Sequence, residues 1–163
     1  MDHTETLNET GYWGKRAAGT ILYDAKNRKI GLGKRSDAVL EPGTLGTFGG
    51  AVDGSDSIEE TVANELMEEI GYFYPTKLTA LPVFKDDSFE YHNFICRVNP
   101  QVWDPLLNYE NDEIVWMDLK DLKSIPKDSL HPGMQWLMDQ PKFWSTLSAF
   151  EARYQYESSG PGV

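Results

Sequence analysis

Residues 50–72, GAVDGSDSIEETVANELMEEIGY, carry most of what the sequence says about the fold. The second half of this stretch has the pattern of a helix over 57–70. Ile58, Val62, Leu66 and Ile70 recur every fourth residue, with Ala63 and Met67 beside them, so one broad apolar stripe faces a core. Both ends are marked. Ser57 followed three residues later by Glu60 fits a capping box, which satisfies orphan amide donors at the helix start. Gly71 stands where a left-handed C-terminal cap belongs.

One feature of this helix works against its stability. Glu65, Glu68 and Glu69 are spaced i, i+3, i+4, which places three carboxylates within roughly 100° of its circumference. Like-charge neighbours of this kind destabilise a helix by about 0.2–0.5 kcal/mol per pair. Glu68 and Glu69 also fall in the last turn, where the dipole favours a cation, and the segment contains no Lys or Arg. Such clusters on helices are usually solvated faces. Here a glycine-rich loop, TFGGAVDG, runs straight into the helix, and glycines let a backbone approach a ligand closely. A loop of that kind beside clustered carboxylates suits a hydrated Mg²⁺ bridging to phosphate oxygens, since magnesium takes hard oxygen ligands and keeps water and substrate phosphates in its shell. The competing acidic motif, a calcium EF-hand loop, has a ligand spacing that DGSDSIEE lacks.

Outward from this stretch, the patterns predict strands over 16–24 and 29–35 around the turn AKNR, then a Gly- and Thr-rich loop with a short strand over 41–50. Strands are expected over 78–85, 89–98 and 114–118, and helices over 131–138 and 141–154. Strands mixed with helices point to an α/β layered fold around a mixed sheet. At 163 residues one domain is the expectation, spanning 1–163 with a core over about 12–156 and flexible ends.

The charge is concentrated. The formal net charge is −11, and from 36 to 76 there are nine acids and no base. A chain this acidic gains little from the counterion release that drives binding to nucleic acid or anionic lipid, so neither is an expected partner. The opening MDHTETLNETG has neither the basic flank nor the apolar run of a signal peptide, and no apolar run is long enough to span a bilayer, so a cytoplasmic protein is expected. The single cysteine, Cys96, sits in the strand-like run FEYHNFICRV and reads as a buried small hydrophobe.

The same stretch resembles the Nudix box, GX5EX7REUXEEXGU with U an apolar residue. Gly50 takes the first glycine and Glu65 the glutamate that follows the arginine. Leu66 is the first U, Glu68 and Glu69 are the paired glutamates, Gly71 is the second glycine, and Tyr72 is the last U. Two positions depart: Asp56 stands for the family glutamate and Asn64 for the arginine. In the family these two form an ion pair, so the changes predict a shorter Asp56-to-Asn64 hydrogen bond in its place. The resemblance implies a Nudix-type α/β/α sandwich with a mixed β-sheet. It also implies a Mg²⁺-dependent hydrolase, with Mn²⁺ as substitute, that cleaves the diphosphate linkage of a nucleoside diphosphate joined to another moiety. The substrate is then a small nucleotide: a triphosphate, a nucleotide sugar or a dinucleotide. Matched residue by residue, Glu65 and Glu69 are the main metal ligands, with Glu68 and the Gly49 carbonyl beside them. Glu110 in NYENDEIVW is the further acid, as ligand or general base, and Glu113 is the second candidate for that role. Family members are often dimers, so a homodimer is in keeping.

Substrate contacts are read more loosely. Arg35 and Gly50 are candidates to meet the substrate, Arg35 as a phosphate contact or as a surface charge. Phe89, with Phe84, Tyr91 and Trp13, is either a base-stacking platform or core. His92 and His131 read as structural. Neither the SQPWPFPxS run of NADH hydrolases nor the downstream proline of ADP-ribose hydrolases is present, so the substrate stays open. The alternatives are an isomerase of the isopentenyl-diphosphate type, which needs a catalytic cysteine that mid-strand Cys96 does not supply, and a non-catalytic Nudix module that binds and senses a nucleotide.

Overall fold

The computed structural model describes residues 16–73, 77–99 and 101–159. The strands are β1 (Arg16–Asp24), β2 (Lys29–Arg35), β3 (Leu45–Gly46), β4 (Phe48–Ala51), β5 (Leu78–Ala80), β6 (Phe84–Lys85), β7 (Glu90–Val98) and β8 (Asn111–Met117). The helices are α1 (Ile58–Ile70), α2 (Leu119–Ser124), α3 (Pro132–Met138) and α4 (Pro141–Ser159), with one 3₁₀ turn at Lys127–Ser129.

All eight strands belong to one mixed sheet built on β1. One edge of β1 pairs in parallel with β7 along its whole length, from Arg16↔Glu90 to Asp24↔Val98. The other edge is shared: its last residues pair with β2 and its first with β4, both antiparallel. Strand β2 therefore leaves β1 partway along and pairs with β8 and β3 instead. The divergence of β2 from β4 opens the sheet at the point where the glycine-rich segment runs.

Period-two alternation sends the side chains of β1 and β7 into two separate cores. Ile21, Tyr23 and Ile95 face a cluster completed by Leu122, Leu137 and Phe143 from α2, α3 and α4. Ala18, Leu22, Phe94 and Cys96 face the other cluster, completed by Val62, Leu66 and Ile70 of α1. Helices thus cover both faces, an α/β/α sandwich, and β1 is buried on both sides, as a near-continuous apolar strand must be.

Helix α1 is capped as its sequence requires. The Ser57 side chain accepts from Glu60 N–H at 3.0 Å, and Glu60 Oε1 accepts from Ser57 N–H at 3.2 Å. Gly71 closes the helix at φ 68°, a left-handed position that a Cβ disfavours. Met67, grouped with the apolar stripe by spacing, is 42% exposed instead. Three further differences from the sequence patterns have local causes. The expected strand 78–85 is two short strands, because Pro82 lacks the N–H that a ladder needs. The last strand begins at Asn111 rather than 114, extended by pairing of Arg35 with Asn111 past a register shift that leaves Asp112 as an extra residue in β8. Helix α2 and the 3₁₀ turn are too short to show periodicity.

Candidate active site

The site is set by the approach of β4 to α1. A Cβ on Gly50 would stand 2.3 Å from Glu65 Oε1 and 2.6 Å from its Cδ, so the carboxylate lies directly against the bare strand backbone. At Gly49 a Cβ would meet the Ala18 carbonyl oxygen at 2.2 Å, so that glycine serves the close packing of two strands. Val52 N–H donates to Arg16 O at 3.0 Å. By the alternation of an antiparallel pair, Gly49 opposite Gly19 then falls at a non-hydrogen-bonded position, and β1 does not use its carbonyl.

The carboxylates have distinct environments. Glu69 is 3% exposed. Its Oε1 accepts from Asn111 Nδ2 at 3.4 Å, and no donor reaches its Oε2. Burial first, then the neighbouring Glu110 carboxyl within hydrogen-bonding reach, pushes Glu69 well above the ordinary carboxylate range, and Arg35 opposes this. Glu65 is pushed up to about 8 by burial and then by Glu68, Glu110 and Asp53. Glu68 is exposed and lines, with Glu65, Glu110, Asp53 and Asp56, a cavity of about 370 Å³ whose walls carry no Lys or Arg. A buried carboxylate with an unsatisfied oxygen is costly unless a cation or proton meets it.

The loop before β8 carries Glu110 to this place. Leu106 N–H and Trp103 Nε1–H donate to Ile70 O, and Asn108 N–H donates to Glu69 O, all at 2.9–3.0 Å. These bonds satisfy carbonyls that the last turn of α1 leaves open. Asn108 Oδ1 then accepts from Glu110 N–H at 3.0 Å, and Ser36 N–H donates to Glu110 O at 2.9 Å. Glu113, three residues on, is exposed and faces Lys34 at 3.9 Å across the β2–β8 ladder, away from the cluster. The structure thus brings Glu65, Glu68, Glu69 and Glu110 together and leaves Glu113 out. The buried Asn111, which holds Glu69, was missed by sequence reading. No residue-type signal marks an asparagine of this kind.

Among the described residues, no group of three or more His, Cys, Asp or Glu side chains is arranged so as to hold a metal ion by itself. The donors on hand are hard oxygens: three glutamates of α1, Glu110 and the Gly49 carbonyl. With the orphaned Glu69 Oε2, they fit a cation that takes a few carboxylates and completes its shell with water and phosphate, as Mg²⁺ does. Among the described residues no hydrogen bond joins the Asp56 and Asn64 side chains. Both side chains line the acidic cavity.

A second cavity, of about 280 Å³, opens beside the first. Arg35, Phe84, Phe89, Tyr91, His131 and Trp136 all line it. The strand aromatics are therefore neither plain core nor surface, Arg35 is no free surface charge, and His131, which caps α3 as a structural residue does, also lines this cavity. Burial pushes the Tyr91 hydroxyl upward, and it shares a 2.9 Å hydrogen bond with Thr47 Oγ1. A Cβ on Gly49 would stand 2.7 Å from that hydroxyl, and Tyr91 feels the Glu69 and Glu65 charges, so Tyr91 marks the seam between this cavity and the carboxylates. His92 pairs instead with Glu90 at 3.1 Å. Trp13 lies outside the described residues. Cys96 is fully buried in β7, and no described helix is long and apolar enough to cross a membrane.

Comparison with known proteins places this geometry in context. The family model described as NUDIX domain matches residues 14–138. A MutT protein from Methanosarcina mazei Go1 superposes with a TM-score of 0.58 at 20% identity, covering 90% of this chain and 96% of its own. A MutT NUDIX hydrolase from Burkholderia pseudomallei gives 0.61 at 22% identity, covering 78% and 97%. An Ap4A hydrolase from C. elegans gives 0.58 at 20% identity, covering 83% and 98%. At these identities the likeness is one of fold. No curated protein matches the chain in sequence.

Proposed function

We propose, from the premise that this chain belongs to the NUDIX family and is one of its hydrolases of nucleoside diphosphate derivatives, that it cleaves the diphosphate linkage of a small nucleotide with Mg²⁺. The observation that carries this reading is Glu69. It is a buried carboxylate with one oxygen that no donor reaches, set beside Glu110 and Glu65, which line an acidic cavity.

In this reading Glu65, Glu69, Glu68, Glu110 and the Gly49 carbonyl hold the cation. When bound, Mg²⁺ or Mn²⁺ supplies charge neutralisation of the diphosphate and lowers the pKa of water. The chain's own residues do the remainder. Gly50 leaves room for the Glu65 carboxylate against the strand. Asn111 and the backbone bonds to Glu69 and Ile70 hold α1 and the Glu110 loop in register. Glu110 is half-buried, stands next to Glu69 and is open to the acidic cavity, so it is the group placed to take a proton from the attacking water. Arg35 lies close enough for its charge to be felt by Glu69 and Glu110, where it meets the substrate at the seam. Phe89 offers a face of the neighbouring cavity to the rest of the nucleotide.

A net charge of −11 supports a free nucleotide rather than a polyanionic nucleic acid or membrane as partner. The reading includes a cytoplasmic setting and a homodimer, the latter to be checked by light scattering. The test is a panel of triphosphates, nucleotide sugars, ADP-ribose, NADH and dinucleoside polyphosphates incubated with Mg²⁺ and the wild type or Glu69→Gln. Cleavage of at least one compound by wild type alone is expected. Cleavage of none, with nucleotide still bound, would convert the reading to a non-catalytic binding module.

A further inference from the structure

The aromatic cavity has a hydrogen-bonding pattern of its own, fixed by three side chains whose other bonds are already made. Arg35 donates Nε–H to Leu40 O at 2.7 Å, which pins the guanidinium, and its Nη2 is buried without a partner. His131 caps α3: its Nδ1 accepts from Gly133 N–H at 3.0 Å, so the neutral ring carries its hydrogen on Nε2. No hydrogen bond to that Nε2–H occurs among the described residues. Asn93 is 5% exposed and donates Nδ2–H to Pro82 O at 2.9 Å. Because Pro82 O can only accept, the amide orientation is settled and Oδ1 remains as an acceptor. All three residues line the same cavity. Arg35 Nη2 is closed off from that space, so one donor, His131 Nε2–H, and one acceptor, Asn93 Oδ1, wait in a cavity with aromatic walls.

The walls suit a flat ring. Phe84 and Trp136 stand edge to face at 5.3 Å, and Phe89 lies 6.0 Å from Phe84 and 6.4 Å from Tyr91. A volume of about 280 Å³ is at the small end for ligand pockets, enough for one ring system and not for a second nucleotide. At the seam the cavity adjoins the carboxylates, so a ring seated here leaves its phosphates directed at them.

We infer that this cavity reads the nucleobase and selects bases with a lactam edge (guanine, hypoxanthine and uracil) over the amino-edged adenine and cytosine. The inference rests on the nucleotide reading of the preceding subsection and adds the part of the substrate that reading leaves open. A lactam edge presents a carbonyl oxygen beside a ring N–H. His131 Nε2–H donates to the carbonyl, and Asn93 Oδ1 accepts from the ring N–H. Adenine and cytosine place an amino group against the donor and a bare ring nitrogen against the acceptor. Each mismatch leaves buried polar groups unpaired, and sites built on such bonds reject the wrong partner strongly. Burial, with the adjacent Arg35 charge, holds His131 down to about 4, so it stays a neutral donor at neutral pH.

The test titrates GMP, UMP, AMP and CMP into the protein with and without Mg²⁺, by calorimetry and by quenching of Trp136 fluorescence, with Trp136→Phe assigning the signal. Monophosphates have no anhydride to cleave, so binding is read apart from hydrolysis. GMP and UMP are expected to bind about tenfold or more tighter than AMP and CMP. Asn93→Leu and His131→Asn are expected to bring the four within about threefold of one another while melting cooperatively; if either fails to fold, the wild-type ratio decides alone. Equal binding of all four, a preference for AMP or CMP, or no binding under either condition overturns the inference. A lactam preference without hydrolysis of any panel compound removes the enzyme reading and leaves the pocket standing.

Discussion

Two adjacent glycines should respond in opposite ways to the same added methyl group. In Gly50→Ala the new Cβ lies 2.3 Å from Glu65 Oε1, where ordinary contact begins at 3.4 Å, so the carboxylate must retreat by more than 1 Å. Its far end is flexible and the strand tolerates alanine, because Gly50 has no left-handed backbone. Stability should therefore hold or rise, since glycine inside a strand is disfavoured by roughly 0.5–1 kcal/mol relative to alanine. Activity should not hold: a misplacement of about 1 Å in reacting machinery costs on the order of a hundredfold in kcat/KM, about 2.7 kcal/mol. In Gly49→Ala the new atom meets Ala18 O at 2.2 Å and Gly19 Cα at 2.5 Å, both backbone, and neither can yield without opening the β1–β4 ladder. A strained core ladder puts the loss in the rare class above about 4 kcal/mol, a large share of the stability of any small domain. Thermal melts and steady-state kinetics on one substrate separate the two. If Gly50→Ala kept its activity within threefold and its Mg²⁺ midpoint unchanged, Glu65 would not be seated by that glycine. If Gly49→Ala melted within about 2 °C of wild type, the close strand approach would be wrong.

Other expectations follow from the same geometry. Glu69→Gln should abolish hydrolysis yet raise the melting temperature of the metal-free protein, because it removes a buried acid that must either hold a proton at a cost to stability or carry a charge that no donor meets at Oε2; a lower melting temperature in EDTA would contradict this. Excess Mg²⁺ at about 100 times its Kd should stabilise the wild type by roughly 2.7 kcal/mol and leave Glu69→Gln nearly unmoved in differential scanning fluorimetry. Glu110→Gln should lower kcat at least tenfold while Glu113→Gln stays within twofold; equal losses would remove Glu110 from the proton-transfer role. His131 sits at about 4 in the fold against 6.5 in the unfolded chain, so the unfolded state takes up its proton first as pH falls. Its contribution is complete above pH 6.5 and is lost on descent toward pH 4, by roughly 1–3 kcal/mol. Urea midpoints at pH 7 and 4.5 should diverge more for wild type than for His131→Asn, and parallel shifts would show that His131 titrates normally.

The chemistry-bearing half of the site was legible because it is local. Capping box, apolar stripe, carboxylate spacing and terminal glycine all lie within 23 residues, and each follows from the periodicity of one helix. Whether Asp56 and Asn64 meet is not legible, because spacing along a chain says nothing of whether two shortened side chains span the gap between loop and helix. The surroundings of Tyr91, Phe84 and His131 are not legible for a related reason. An aromatic residue in a strand has the same sequence signature whether its face meets a helix or a cavity. Here the outcome depends on α3, roughly 40 residues further on, swinging Trp136 across β6. The placement of Glu110 likewise depends on bonds from a loop to the carbonyls of α1, which no side-chain pattern records.

The two cavities also explain where the acidity sits and why the chain tolerates it. The family arginine would have placed one fixed cation among the carboxylates, but Asn64 brings none, so the acidic cavity is anionic throughout. Arg35 is the nearest compensating charge, and it is committed to the other cavity by its bond to Leu40 O and its buried Nη2. Holding the carboxylates together therefore depends more on protons that burial drives Glu65 and Glu69 to take up, and on an external cation. Cation binding must displace those protons, so its apparent affinity should rise with pH. Restoring the arginine, Asn64→Arg, should shift that balance: the metal-free protein gains stability, the Mg²⁺ midpoint moves to higher concentration, and the pH dependence of the midpoint flattens. Melting curves in EDTA and Mg²⁺ titrations at pH 6.5 and 8.5 measure all three. An unchanged midpoint and pH dependence would mean that residue 64 is electrically remote from the carboxylates, and that its loss has no part in tuning the site.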